Sequence, residues 1–164
     1  MRTQIMSMSR ISPIYHLVTA AAVLLLGAPI TGAQDKVPAE FQGDWVAATA
    51  TCDAPVRFRV AETRMTLING KDSASYGDIG ITYSYFGPDY QGISFVGMPE
   101  LNSGNSPFTV YFNADEKKGV LKLDIYQEMK GPLNAQLRAL QDAAKKLAAR
   151  FPLNRVPLKK CPAP

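Results

Sequence analysis

Through most of the chain, hydrophobic and polar residues alternate with a period of two, and near the end they switch once to the period of a helix. Val56, Phe58 and Val60 alternate with Arg57 and Arg59, the pattern of a strand with one face in a core and the other in water. Met65 and Leu67 extend the pattern to Asn69-Gly70, a pair that tolerates positive φ and predicts a hairpin turn. Upstream, Trp45, Ala47 and Thr49 share one face of a first strand, against Asp44, Val46 and Ala48. Downstream, Ile79, Ile81, Tyr83 and Tyr85 make one stripe, and Ile93 and Phe95 another, with turn chemistry at Gly87-Pro88-Asp89 between them. Residues 100–107 (ELNSGNSP) read as a loop. Phe108, Val110 and Phe112 then alternate with Thr109 and Tyr111. After a charged turn at 115–119, Leu121, Leu123 and Ile125 alternate with Lys122, Asp124 and Tyr126. About eight short strands at regular spacing predict a mainly-β fold, a small eight-stranded antiparallel β-barrel.

Gly131-Pro132 ends this series. Leu133, Leu137, Leu140, Ala144, Leu147 and Phe151 follow at spacings of four and three, one narrow apolar stripe that predicts a single amphipathic helix. Pro132 suits its first turn and Pro152 stops it. The stripe is expected to bury against the outside of the sheet, and the tail beyond it to return to the body.

The first residues read as an address. Arg2 and Arg10 precede the apolar run at 17–26 (LVTAAAVLLL), and Thr31-Gly32-Ala33 supplies small residues for cleavage. That run is too short for a stable transmembrane helix, and no cysteine near the cleavage site invites a lipid. The chain therefore divides into a signal peptide at 1–33, a linker at 34–40, a barrel at 41–129, and a helix with its tail at 130–164. The expected location is periplasmic or secreted, in soluble form.

Charge is unevenly spread. Residues 34–129 hold 8 basic and 13 acidic side chains, whereas residues 130–164 hold 8 basic and 1 acidic. The basic end is either a solvated helix face or a surface for an anionic partner, with Lys145, Lys146 and Arg150 as its candidates. Two cysteines in an exported chain are most simply one disulfide, Cys52 to Cys161, free thiols being the alternative.

Several chemistries drop out. The one histidine, His16, lies in the segment to be removed, which takes imidazole general bases and imidazole metal ligands with it. Bridged cysteines cannot be nucleophiles. A carboxylate pair remains formally open, although the acids sit mostly at turns or on polar strand faces. No calcium-loop spacing and no phosphate-cradling glycine loop is present, and the basic tail lacks the interleaved aromatics that stack on bases. The expectation is no enzyme, no cofactor, no metal and no nucleic acid. What remains is aromatic. Trp45, Tyr83, Tyr85, Phe95 and Phe112 either fill a barrel interior or line one ligand cavity in it.

The segment Phe41-Gln42-Gly43-Asp44-Trp45 resembles the Phe-x-Gly-x-Trp opening of the first strand in the calycin superfamily, the lipocalin-like barrels. A similar opening occurs in avidins and in small periplasmic inhibitors of secreted metalloproteases. The order of strands, late helix and disulfide-tied tail is similar too. The chain departs from lipocalins in its late turn, Ala114-Asp115-Glu116-Lys117-Lys118, and in offering Lys122 rather than an arginine on the last barrel strand. The resemblance implies a barrel holding a small apolar or amphipathic ligand. The alternative is a periplasmic inhibitor or cell-envelope interaction module that acts through surface loops and the basic helix.

Overall fold

The computed structural model describes residues 36–84, 94–100, 104 and 106–163, with the backbone alone at 83, 84, 94 and 95. The strands are β1 (Gly43–Ala47), β2 (Val56–Val60), β3 (Met65–Asn69), β4 (Asp72–Tyr76), β5 (Gly80–Ser84), β6 (Ser94–Met98), β7 (Thr109–Phe112), β8 (Val120–Asp124) and β9 (Leu158–Lys160). The helix α1 (Ala135–Arg150) lies between β8 and β9. The strands form one 9-stranded sheet in the order β4-β3-β2-β1-β9-β8-β7-β6-β5. Every ladder is antiparallel, and the sheet curls into a half-barrel around a single core.

Two meanders, β1–β4 and β5–β8, make up most of this sheet, and β9 joins them. The tail, expected only to be tied back, is thus itself a strand. Trp45 pairs with Lys160 and Ala47 with Leu158 on one side; Val120 pairs with Lys159 and Leu121 with Leu158 on the other. Backbone hydrogen bonds from Ala48 to Pro157 and from Cys161 to Asp44, both 2.8 Å, extend the β1 ladder past each end. On the opposite side, no ladder joins β4 to β5 among the described residues. There the Gly77 amide donates to Glu100 Oε1 at 2.9 Å, and the Glu100 amide to the Gly77 carbonyl at 3.0 Å.

The period-2 stripes become the core. Phe58, Val60, Met65, Leu67, Phe108, Val110, Phe112, Leu121, Leu123 and Ile125 are all buried, while Arg59 and Tyr111 on the alternate positions are exposed. The predicted hairpin forms one residue later than expected, since Asn69 pairs with Asp72. Its loop is Gly70-Lys71, with Gly70 at φ 61°. Across the core, β3 and β6 approach closely: a Cβ on Gly97 would stand 2.9 Å from Met65 Cε. At that level the interior is filled by its own side chains.

The Phe-x-Gly-x-Trp segment has a physical explanation. A 3₁₀ turn at Ala39–Phe41 aims the Phe41 carbonyl at the indole, and Trp45 Nε1 donates to it at 3.0 Å. This satisfies the only polar atom of a side chain that is 1% exposed. Phe41 and Trp45 both pack on Phe112, at centroid distances of 5.1 and 6.2 Å. Gly43 between them has φ 128° and carries Lys160 Cε 3.1 Å from where a Cβ would sit. Glycine is needed there because L side chains rarely adopt that backbone.

The helix departs from expectation in two ways. It starts three residues after Pro132, because Asn134 caps it by accepting the Leu137 amide at 2.9 Å. More consequentially, no residue of α1 is buried. Leu137 and Leu140 remain 38% and 48% exposed. Only its last turns, Leu147 and Ala148, pack on the core, and the anchors Phe151 and Leu153 follow the helix. The stripe thus does not bury against the outside of the sheet, and among the described residues the polar contacts that locate α1 sit at its C-terminal end. Arg150 makes a two-pronged ion pair with Asp72 and stacks over Phe151 at 4.8 Å, and its carbonyl accepts from Asn69 Nδ2 at 2.9 Å.

Beyond the helix, Asn154 acts as a substitute strand. Its Oδ1 accepts the Ile125 and Tyr126 amides at 2.8 and 3.0 Å, and its Nδ2 donates to the Tyr126 carbonyl at 2.9 Å. The chain is thereby led along β8 into β9. Cys161 then bonds Cys52, with Cα atoms 5.7 Å apart and a sequence separation of 109. The expected disulfide is present.

Two stability tests follow from this joint. Replacing Cys52 and Cys161 by serine should cost about 2–5 kcal/mol in denaturant unfolding, with amide protection lost first at 158–160. Gly43→Ala should cost about 1–3 kcal/mol by forcing a side chain into a left-handed conformation. Wild-type stability in either variant would contradict the role assigned to that position.

Candidate functional site: the groove between helix and sheet

The aromatic residues singled out in the sequence do not form one site among the described residues. Trp45 and Phe112 meet, but in the packed core, each 1% exposed. Tyr83 and Phe95 are register partners in the β5–β6 ladder, and their side chains lie outside the described residues. Tyr85 lies outside them altogether.

Among the described residues, three of the concave regions exceed 500 Å³. One, of about 600 Å³, lies on the outer face of β7 and β8 and is lined by Val96, Tyr111, Asp115, Lys122, Asp124 and Arg155. Another, of about 960 Å³, surrounds the disulfide beside Asp44, Arg59 and Lys160. Both are flanked by ion pairs: Lys122 with Asp115 at 2.5 Å, Arg155 with Asp124 at 3.1 Å and Arg59 with Asp44 at 2.6 Å. The carboxylates of the strand faces are thus engaged with cations rather than with one another. Asp44 is held below its usual range, first by the hydrogen bond from Arg59, against a smaller opposing effect of burial.

The third, of about 650 Å³, is different in kind. It runs between α1 and the sheet and takes its apolar walls from Tyr76, Phe108, Ile125, Met129, Leu140 and Leu147. Its existence follows from how the helix is fixed. The Arg150–Asp72 pair and Phe151 hold the C-terminal end against β3 and β4, while the N-terminal half keeps its apolar stripe off the sheet. Tyr76 and Phe108 form the floor, edge to face at 5.2 Å, and Phe58 supports Phe108 from within at 5.9 Å. Burial raises the Tyr76 hydroxyl above its ordinary value; the Arg150 charge opposes this and Glu100 adds to it. The phenol therefore stays neutral and can donate at physiological pH. Thr109, Gln127 and Gln141 supply polar groups at the walls. Apolar walls, a few polar groups and this volume are the usual features of a small-molecule site.

The pieces of this groove were individually visible as an aromatic-rich strand region and a stripe of helical leucines. What sequence reading missed was that they meet, because that depends on how far α1 lies from the sheet. Among the three basic candidates, Arg150 is taken up by Asp72 and by the Ser73 carbonyl at 3.3 Å. Lys145 and Lys146 are exposed on α1. Comparison of the chain with protein-family models, curated proteins and solved structures gave no match.

The anchored C-terminal end of α1 should respond to acid. Asp72 is held below the ordinary value of 3.8, first by the hydrogen bond from Arg150, then, after a small opposing effect of burial, by the same guanidinium's charge. Arg150 is raised in turn by its bond to Asp72. A carboxyl whose folded pKa is depressed adds stability above its unfolded pKa and loses it as pH falls through the folded value. Helix anchoring should therefore be complete at neutral pH and weaken below about pH 4. Amide exchange at 147–151 followed from neutral to acid pH should show this, and Asp72→Asn should remove the pH dependence. An unchanged profile in that variant would separate the pair from the anchoring.

Proposed function

We propose that this chain is an exported, non-enzymatic binding protein of calycin-like build, and that it holds a small apolar or amphipathic ligand in the groove between α1 and the sheet. The observation that carries the reading is the unburied apolar stripe of α1 facing a cavity of about 650 Å³ floored by Tyr76 and Phe108. A helix of this composition gains little from standing off its own sheet unless something else covers those side chains. A ligand chain lying between Leu140 and Phe108 would do so. The barrel interior is the less suitable place, since Trp45, Met65 and Phe112 already fill it. A closed barrel, with β4 paired to β5, would enclose that same packed core and leave the groove outside it.

A second reading, an inhibitor or envelope-interaction module, draws support from the outer hollow of β7 and β8, where Tyr111 stands 39% exposed among charged pairs. The two readings part at what accompanies the protein on purification: a carrier should bring an amphiphile, an inhibitor a second protein.

Native mass spectrometry of the purified protein should show a bound small molecule, released on organic extraction. Leu140→Glu places a charge at an exposed site, so folding should be spared. It should weaken binding of a non-ionic fluorescent alkyl probe by roughly ten- to a hundredfold, the equivalent of losing one buried leucine side chain. A protein that carries no ligand, and binds the probe equally well with Leu140→Glu, would end this reading.

A further inference from the structure

We propose that the groove between α1 and the sheet selects an uncharged amphiphile, one whose headgroup both donates and accepts hydrogen bonds, as a hydroxyl or amide does. The inference rests on the groove-ligand reading above and adds to it the chemistry of the headgroup.

Among the described residues, the walls of the groove hold no lysine or arginine, and Asp124 is their one charged side chain. Asp124 is neutralised from the neighbouring hollow by Arg155, whose Nε and Nη2 donate to its two oxygens at 3.1 Å. Arg150, the cation whose charge reaches Tyr76, is likewise taken up by Asp72, and Glu100 adds a negative charge near the same hydroxyl. On α1, at about 100° per residue, Arg138, Lys145 and Lys146 fall on the face opposite Leu140, Ala144 and Leu147. Lys130 is exposed and forms no part of the walls. A carboxylate or phosphate drawn into this groove would lose water and meet no cation in exchange, the costly way to bury a charge. An ammonium fares little better, since the acid it would seek is already paired.

The polar groups that line the groove are neutral and complementary in kind. Ser106 Oγ donates to the Phe108 carbonyl at 2.9 Å, which leaves its lone pairs as acceptors. Gln127 is held the opposite way round. Arg155 Nη2 donates to its Oε1 at 2.8 Å, and because a guanidinium has no acceptor, this contact fixes which end of the amide is oxygen. The Gln127 Nε2 hydrogens are then left to donate. The hydroxyls of Tyr76 and Thr109 and the side-chain amide of Gln141 make no hydrogen bond with another described residue. Donors and acceptors beside an apolar floor match a head that offers both, such as the glycerol of a monoacylglycerol, with its hydrocarbon tail along Phe108 and Leu140.

The test is displacement of the non-ionic fluorescent alkyl probe from the purified protein at neutral pH. The competitors are monodecanoylglycerol, decanoate and decylammonium, each below its micellar concentration, so that differences report the head. Monodecanoylglycerol should bind roughly ten- to a hundredfold more tightly than decanoate, the penalty for leaving a buried polar group unpaired. Asp124→Asn keeps the shape of the side chain and leaves the Arg155 charge uncompensated. It should narrow the preference for the ester over decanoate by about two- to fivefold, the worth of an exposed ion pair. A cooperative thermal transition would show that the variant is folded. Decanoate or decylammonium binding as tightly as the glycerol ester would overturn the proposal, as would an Asp124→Asn variant with the wild-type preference. In those cases the alkyl probe still binds and the groove-ligand reading stands. If the probe and all the decyl compounds fail to bind, that reading falls and this proposal with it.

Discussion

Everything in this fold depends on a three-residue strand. Leu158–Lys160 carries the ladder between β1 and β8, and among the described residues no other ladder joins the two meanders. The pairing joins residues more than a hundred positions apart in sequence, so its closure entropy is large and its formation late relative to the local hairpins. The disulfide between Cys52 and Cys161 acts on this step. For a loop of this length the chain-entropy model gives up to about 4.7 kcal/mol. Asn154 contributes from the other direction, guiding the chain along β8 with three hydrogen bonds before β9 begins.

The same route fixes the helix at one end only. Once Phe151 and Leu153 are buried and β9 is paired, the C-terminal turn of α1 must lie against the β3–β4 hairpin, where Asp72 and Asn69 receive it. Among the described residues, nothing comparable holds its N-terminal half. Sixteen residues are near the limit for a helix to persist on its own, and the Asn134 cap supplies part of what packing does not. The groove is thus a consequence of chain routing. It opens where an anchored element leaves the sheet, and its apolar lining is the stripe that in a fully docked helix would have disappeared into the core. The exposed cations Arg138, Lys145 and Lys146 lie on the far side of that helix, away from the stripe.

Much of the architecture was legible in the chain because it rests on local periodicity. The alternation in β2, β7 and β8 assigned the faces of those strands correctly, since a residue of one parity cannot reach the core from the other side of a pleated strand. The Phe41–Trp45 segment marked the first strand, and the cysteine count predicted the bridge. Asn69-Gly70 placed a hairpin within one residue, the shift arising because Asn69 still pairs in the ladder. The helix was legible as a helix from its spacing of four and three.

Its environment was not. Periodicity says which face of an element is apolar, and is silent on how far that face lies from the next layer. Leu158-Lys159-Lys160 has one apolar residue and is too short for a period-2 signal, so the strand that unites the sheet could not be read locally; it exists because two unpaired strand edges stand on either side of it. The groove combines Tyr76, Phe108, Ile125, Met129 and Leu140, residues from four parts of the chain, and only the tertiary arrangement brings them together. The amino-acid sequence by itself determined the mainly-β pattern, the buried faces, the late helix and the cysteine pair. Tertiary structure decided that the tail would become the ninth strand, that the side chains of Trp45 and Phe112 would be buried together in the core, and that the helix would stand away from the sheet. The physical reason is the same in each case: alternation is a property of neighbours along the chain, whereas distance between layers is set by pairings and packing between residues far apart in it.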